Sequence, residues 1–228
     1  MKLSVFIVIF LSWNFASGQQ LEIQVLTEFN GEPLQMEAKK YVNASGDSLS
    51  IESFRFYLSN FVLYSQGKKF PVKNSYFLVD ASAEASKKIN LQKSFAGKTD
   101  SISFCIGVDS AMSVAGALDG ALDPTLGMYW AWNTGYINAK LEGKSPSCKT
   151  LHHAYEFHIG GYLRPYNALR KITLACADGN VLKLRADAAQ WMNGREKVSL
   201  SKLNSVVMPC KNAMMIADNY QQMFSVIK

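Results

Sequence analysis

The sequence predicts an all-β protein, an antiparallel β-sandwich with long loops and a short C-terminal helix. Three observations predict it. Short apolar/polar alternations recur along the chain, the period of a half-buried strand. Turn-forming clusters punctuate them at short intervals, as in sandwiches. Helical periodicity is clear only near the C-terminus, where Ala213, Ala217, Tyr220 and Phe224 share one helical face.

The first eighteen residues read as a signal peptide. Lys2 gives a positive start, Leu3 to Trp13 is apolar, and Ala16-Ser-Gly18 is a small-x-small cleavage site. The apolar run stops short of the roughly 20 residues of a membrane span. Residues 19–228 then form the mature domain, exported to the periplasm, the cell surface or the medium, with no transmembrane anchor. Roughly 210 residues are ample for one core.

In chain order, Leu21, Ile23 and Val25 line one face of a first strand. Asn43-Ala-Ser-Gly-Asp47 is turn chemistry. Ser53 to Tyr64 carries Phe54, Phe56 and Leu58 on one side, then changes phase at Ser59-Asn60 before Phe61 and Leu63, the mark of a bulge or of a break between two strands. Further strands are expected at Tyr76 to Asp80, Ser101 to Val108, Tyr129 to Leu141, Ala154 to Ile159, Lys171 to Cys176 and Val181 to Ala186. Asp178-Gly-Asn180 between the last two is a hairpin signal. Asp109 to Asp123, with Gly116 and Gly120, reads as a long loop holding a turn of helix.

The formal charge of +6 comes from dispersed lysines rather than a basic stripe, which argues against nucleic-acid binding. No nucleophile elbow, zinc-protease helix or phosphate loop is present, so no catalytic turnover is expected. The four cysteines, Cys105, Cys148, Cys176 and Cys210, include no Cys-x-x-Cys pair, and with export they predict two disulfides.

Metal chemistry concentrates in His152, His153 and His158, the three histidines of the chain. On a strand, Tyr155, Phe157 and Ile159 share one face, and Glu156 and His158 the other. Imidazole suits copper, zinc or iron, while a hydrogen-bonded structural histidine satisfies the same pattern. Trp130 and Trp132 stand two apart, with Met128 on the same face of an extended strand. Such a pair serves as core packing, as a sugar or peptide platform, as a cation-π site or as a redox-active indole. Asp109, Asp119 and Asp123 form no calcium-loop spacing, and calcium is not expected.

Several blocks in order resemble the MbnP-like family: Phe104-Cys-Ile-Gly-Val-Asp109, Asp123-Pro, Gly127-Met-Tyr-Trp-Ala-Trp-Asn-Thr-Gly-Tyr136, Lys140-Leu-Glu-Gly143 and Phe157-His-Ile-Gly-Gly161. Phe54-Arg-Phe-Tyr-Leu-Ser-Asn60, Tyr76-Phe-Leu-Val-Asp80 and Ile216-Ala-Asp-Asn-Tyr220 with Met223-Phe224 fit the same pattern. This methanobactin-associated family includes copper-repressible surface proteins of methane-oxidising bacteria. The resemblance implies an exported sandwich that binds copper through histidines and an oxidised tryptophan, the oxidation made by a partner di-haem peroxidase-like enzyme. Carried onto this chain, it names His158, with Trp130 or Trp132 as the indole. Methanotroph-type members carry a histidine just before Asp-Pro. Here that loop, Ala117 to Asp123, has none, leaving a ligand to be replaced by His152 or His153, with His153 the expected second nitrogen. The alternatives are an envelope recognition module using the two indoles, or a structural sandwich that has lost its metal.

Overall fold

The computed structural model describes residues 20–133, 135–176 and 179–227; the signal-peptide reading falls outside them. The strands are β1 (Gln20–Phe29), β2 (Glu32–Pro33), β3 (Tyr41–Val42), β4 (Ser48–Ser65), β5 (Lys68–Pro71), β6 (Tyr76–Asp80), β7 (Lys88–Gln92) and β8 (Ser101–Ile106). They continue with β9 (Tyr129–Trp130), β10 (Gly135–Lys144), β11 (Ala154–Gly160), β12 (Arg170–Ala175), β13 (Val181–Asp187), β14 (Ser205–Val206) and β15 (Phe224–Val226). Among the described residues there are also three short α-helices, α1 (Ser110–Val114), α2 (Gln190–Asn193) and α3 (Lys211–Tyr220), and four 3-10 turns.

Two sheets form the expected sandwich. The smaller runs β15-β13-β1-β2, with β7 also on β1; the larger is a ten-stranded sheet built on β4. Most pairs are antiparallel, but β1–β13 and β11–β14 are parallel. Strand β4 is the spine. Phe56 faces Ala139 of β10 and Val79 of β6, while Leu58 faces Ile106 of β8 and Phe77 of β6. One edge of β4 therefore carries β10 and then β8, and the opposite edge carries β6.

The phase change read in β4 is a bulge inside one strand, not a break. Register slips between Ser59 and Val62, and Asn60 takes φ 53°. The slip keeps Phe54, Phe56 and Leu58 buried before it and Phe61 and Leu63 buried after it. These side chains meet Leu21, Ile23, Val25, Leu182 and Leu184 of the smaller sheet in one continuous core. Each fully buried side chain of this size contributes about 1.5–3 kcal/mol.

The C-terminal helix closes one end of that core, burying Ala213, Ile216, Ala217 and Tyr220. Tyr220 packs on Trp191 of α2, which meets Phe54 edge-on. The expected helix stops before Phe224. That residue sits in β15 and places its ring against Phe56 and Phe104.

Three expectations are corrected. The Gly179-Asn180 turn does not make a hairpin, and Asp178 lies outside the described residues. Strand β12 pairs with β8 and β13 with β1, so the chain crosses here from one sheet to the other. Tyr129 to Leu141 is not one strand but β9 and β10 folded back, with Gly135 opposite Trp130. The two disulfides are absent: all four cysteines are free thiols. Cys105 lies in β8 opposite Lys171, whereas Cys176 lies beyond the end of β12, its N–H on Asp100. Cys148 points its thiol at the Leu200 carbonyl, and the Cys210 sulfur accepts the Ala213 N–H as the cap of α3.

Candidate metal site

The site lies on the face of the large sheet turned away from the main core. There, Tyr57, Val108, Leu122, Met128, Trp130, Tyr136 and Ile137 form a second, smaller apolar cluster. It seals the segment 109–127 and the β9–β10 hairpin onto the sheet. The Tyr136 hydroxyl donates to the Leu122 carbonyl at 2.7 Å. Asp109 anchors the start of the segment, accepting from Tyr76 Oη at 2.5 Å, Asn60 Nδ2 at 2.9 Å and Met112 N at 3.2 Å. Burial works against its charge, but the hydrogen bonds from Tyr76, Asn60 and the helix N–H groups outweigh it and hold the carboxyl below its ordinary range. Asp123 likewise caps Thr125 N at 2.8 Å.

Where this cover ends, a charged row crosses the open sheet. His158 pairs with Lys140, Lys140 with Arg55, and Arg55 with Asp80, on β11, β10, β4 and β6 in turn. Burial along β11 alternates as the sequence implied: Tyr155, Phe157 and Ile159 are in the core, while Glu156 and His158 face outward. The neighbour that sequence reasoning missed is Glu142. Its Oε1 lies 2.6 Å from His158 Nε2 and 3.7 Å from Lys140 Nζ. The hydrogen bond from His158 chiefly holds the Glu142 carboxyl below its usual range; burial opposes this, and the Lys140 charge adds to it. A carboxylate only accepts, so Nε2 carries a proton, and in the neutral imidazole Nδ1 is the nitrogen with the lone pair. The clue was the period-two spacing of Lys140 and Glu142 on a strand, but their alignment with His158 depends on register.

Trp130 reaches this row through a glycine. A Cβ on Gly160 would stand 2.8 Å from Trp130 Cζ3, 3.0 Å from Cη2 and 2.5 Å from the Tyr136 carbonyl oxygen. Gly160 is two residues beyond His158 on the same strand, so the indole covers the sheet beside the imidazole. Trp130 is 5% exposed and Trp132, in the turn after β9, is 63% exposed. Their ring centroids are 5.7 Å apart with planes at 43°. This is one sealed and one open indole, not a flat two-ring platform.

His153 is not brought to His158. It stands at the opposite end of β11, with Nδ1 2.9 Å from the Cys148 carbonyl. The two lie five positions apart along extended chain, about 16 Å between backbones, and metal–nitrogen bonds are about 2 Å. His153 therefore cannot be the second ligand of an ion on His158, and neither can its exposed neighbour His152. Among the described residues, no three His, Cys, Asp or Glu side chains are grouped as a metal cluster. The residues present fit a metal as one imidazole, held in the carboxylate-backed arrangement common to metal-bound histidines, with indoles alongside. They do not supply a closed protein ligand set.

No match is found among curated proteins. Among solved structures, the fold is similar to MbnP from Methylosinus trichosporium, with a TM-score of 0.60 at 13% identity over 91% of this chain and 98% of that one. Identity this low shows the shared fold alone. The family model described as MbnP matches residues 18–210, which span both sheets and the His158 row. The chain therefore belongs to the MbnP family.

Proposed function

We propose that this is an exported copper-binding protein without catalytic turnover, its metal held at His158. The observation that carries the reading is the His158–Glu142 pair beside Trp130, in a chain of the MbnP family. His158 would supply the nitrogen ligand through Nδ1, and Glu142 would fix the ring and its tautomer. Trp130 and Trp132, or the oxidised product of one of them made by a di-haem peroxidase-like partner, would complete the surroundings. A site with a single imidazole favours Cu(I), which is satisfied by few, soft donors, over ions that demand four or more hard ligands. Bound copper would give the protein a handling or scavenging role. Export rests on the signal-like residues 1–18. Among the described residues, no helix is long and apolar enough to cross a membrane.

The test is a Cu(I) competition titration on protein purified from its native envelope, with an intact mass. Wild type should bind one equivalent and His158→Ala should lose it, while His153→Ala retains it. An indole oxidation should appear as added mass only where the partner enzyme is present. Full Cu(I) binding by His158→Ala would overturn the reading.

A further inference from the structure

The segment before β11 contains a feature that neither the fold nor the His158 site uses. Ala154 N–H closes a turn onto the Leu151 carbonyl, with His152 and His153 as its two central residues. Both have φ 57°. A tight turn with two left-handed central residues is the type that selects Asn-Gly, because side chains with a Cβ resist that conformation. Two histidines in succession break this local rule. The turn gains no core packing in return: Leu151 is 81% exposed, and both histidines are exposed. Local conflict of this kind, offset by no core packing, is where function is sought.

The hydrogen bonds show what the turn holds in place. His153 N donates to the Thr150 carbonyl at 3.1 Å, and Ser145 N donates to the His153 carbonyl at 2.9 Å. The ring is fixed as well, since Nδ1 lies 2.9 Å from the Cys148 carbonyl oxygen. A carbonyl only accepts, so Nδ1 bears the hydrogen, and in the neutral imidazole Nε2 is the nitrogen with the lone pair, on an exposed residue. A histidine that gives one N–H to a backbone carbonyl is oriented and tautomer-locked as metal ligands are. His152 presents a second exposed imidazole one residue away. The Cys148 thiol is engaged elsewhere, on Leu200.

We propose that the His152–His153 turn is a second metal site, exposed and taking Cu(II) through two imidazoles, with water in its other positions. Two imidazole nitrogens and no thiolate suit Cu(II), which lies at the top of the divalent affinity order. The site shares no residue with the His158 site and stands whether or not copper binds there.

The test titrates bis-glycinato Cu(II) into full-length His158→Ala protein and follows nitrogen hyperfine structure by electron paramagnetic resonance. One equivalent should give a nitrogen-coordinated spectrum, and Zn(II) should compete at least tenfold less well. Adding His152→Gly should weaken binding at least tenfold while the melting temperature holds or rises, because glycine accepts the left-handed conformation. Adding His153→Ala should also weaken binding at least tenfold. Unchanged Cu(II) binding in either variant would overturn the two-imidazole site, as would the absence of a nitrogen-coordinated equivalent in the His158→Ala parent.

Discussion

Glu142 Oε1 sits 2.6 Å from His158 Nε2, joining adjacent strands diagonally on the open face of the large sheet. The bond decides which nitrogen of His158 is free, so it sets the ligand chemistry and contributes stability together. Because the folded carboxyl titrates below its ordinary 4.5, the stabilisation is complete above that pH. It is lost as pH falls through the lower folded value.

Glu142→Gln should therefore destabilise the protein by about 1.5 kcal/mol at neutral pH, the low end for a charge-assisted hydrogen bond. The gap from wild type should close as the pH is taken below 4.5. Thermal melts across pH 3 to 7, roughly the span that covers this carboxyl's titration, check both statements. A gap that stays constant with pH would show that the charge contributes nothing.

Gly160→Ala should cost about 1–3 kcal/mol through overpacking, because the new methyl would stand 2.5 Å from the Tyr136 carbonyl and 2.8 Å from Trp130. Backbone oxygen cannot yield as a flexible side chain can, so the indole should be displaced. A red shift of tryptophan emission alongside a lowered melting temperature is the expected signature.

Denatured, unreduced protein should titrate as four thiols per chain, and a reductant should leave the melting temperature unchanged. In the folded protein, Cys105, Cys148 and Cys176 should react slowly with thiol reagents. Burial raises the Cys105 and Cys148 thiols above their ordinary values and pushes Cys176 up to about 11, keeping the reactive thiolate scarce. Two thiols fewer on denaturation would mean that a disulfide forms after all.

Asp109→Ala removes the cap of α1 and strips Tyr76 and Asn60 of their shared acceptor. The expected loss is about 2 kcal/mol or more, a cap plus orphaned partners. Faster amide exchange should be confined at first to the segment 110–127. Uniform loss of protection across both sheets would show that Asp109 supports the whole fold rather than this cover.

Local patterns carried much of the fold. The alternation in β1, the phase change at Ser59-Asn60, the two faces of β11 and the buried stripe of α3 all follow from spacing within single elements. What spacing could not convey was which elements meet. The same Gly-Asn turn chemistry serves a hairpin or a crossover, and the latter occurs here because β1 claims β13. Trp132 leaves the expected strand face because the chain turns directly after Trp130. In the candidate site, the sequence named His158 and the Trp130/Trp132 pair without choosing between the indoles, while Glu142 required the β10–β11 register. The three histidines looked like one cluster because they are close along the chain; an extended strand carries His153 and His158 apart.

The parallel pairing of β1 with β13 also bears on how the chain acquires its structure. Glu22 must find Val181, and β13 is flanked on its other side by β15, near the C-terminus. Closing so long a stretch of chain carries an entropic cost before any contact repays it, which slows folding. The small sheet cannot be completed until the residues from Val181 onward have been synthesised. Until then β1 has β7 beside it but an open edge where β13 belongs, a template for unwanted pairing with another chain. The vulnerable form of this protein is the incomplete chain, and the speed at which its final segment is delivered governs how long that form persists.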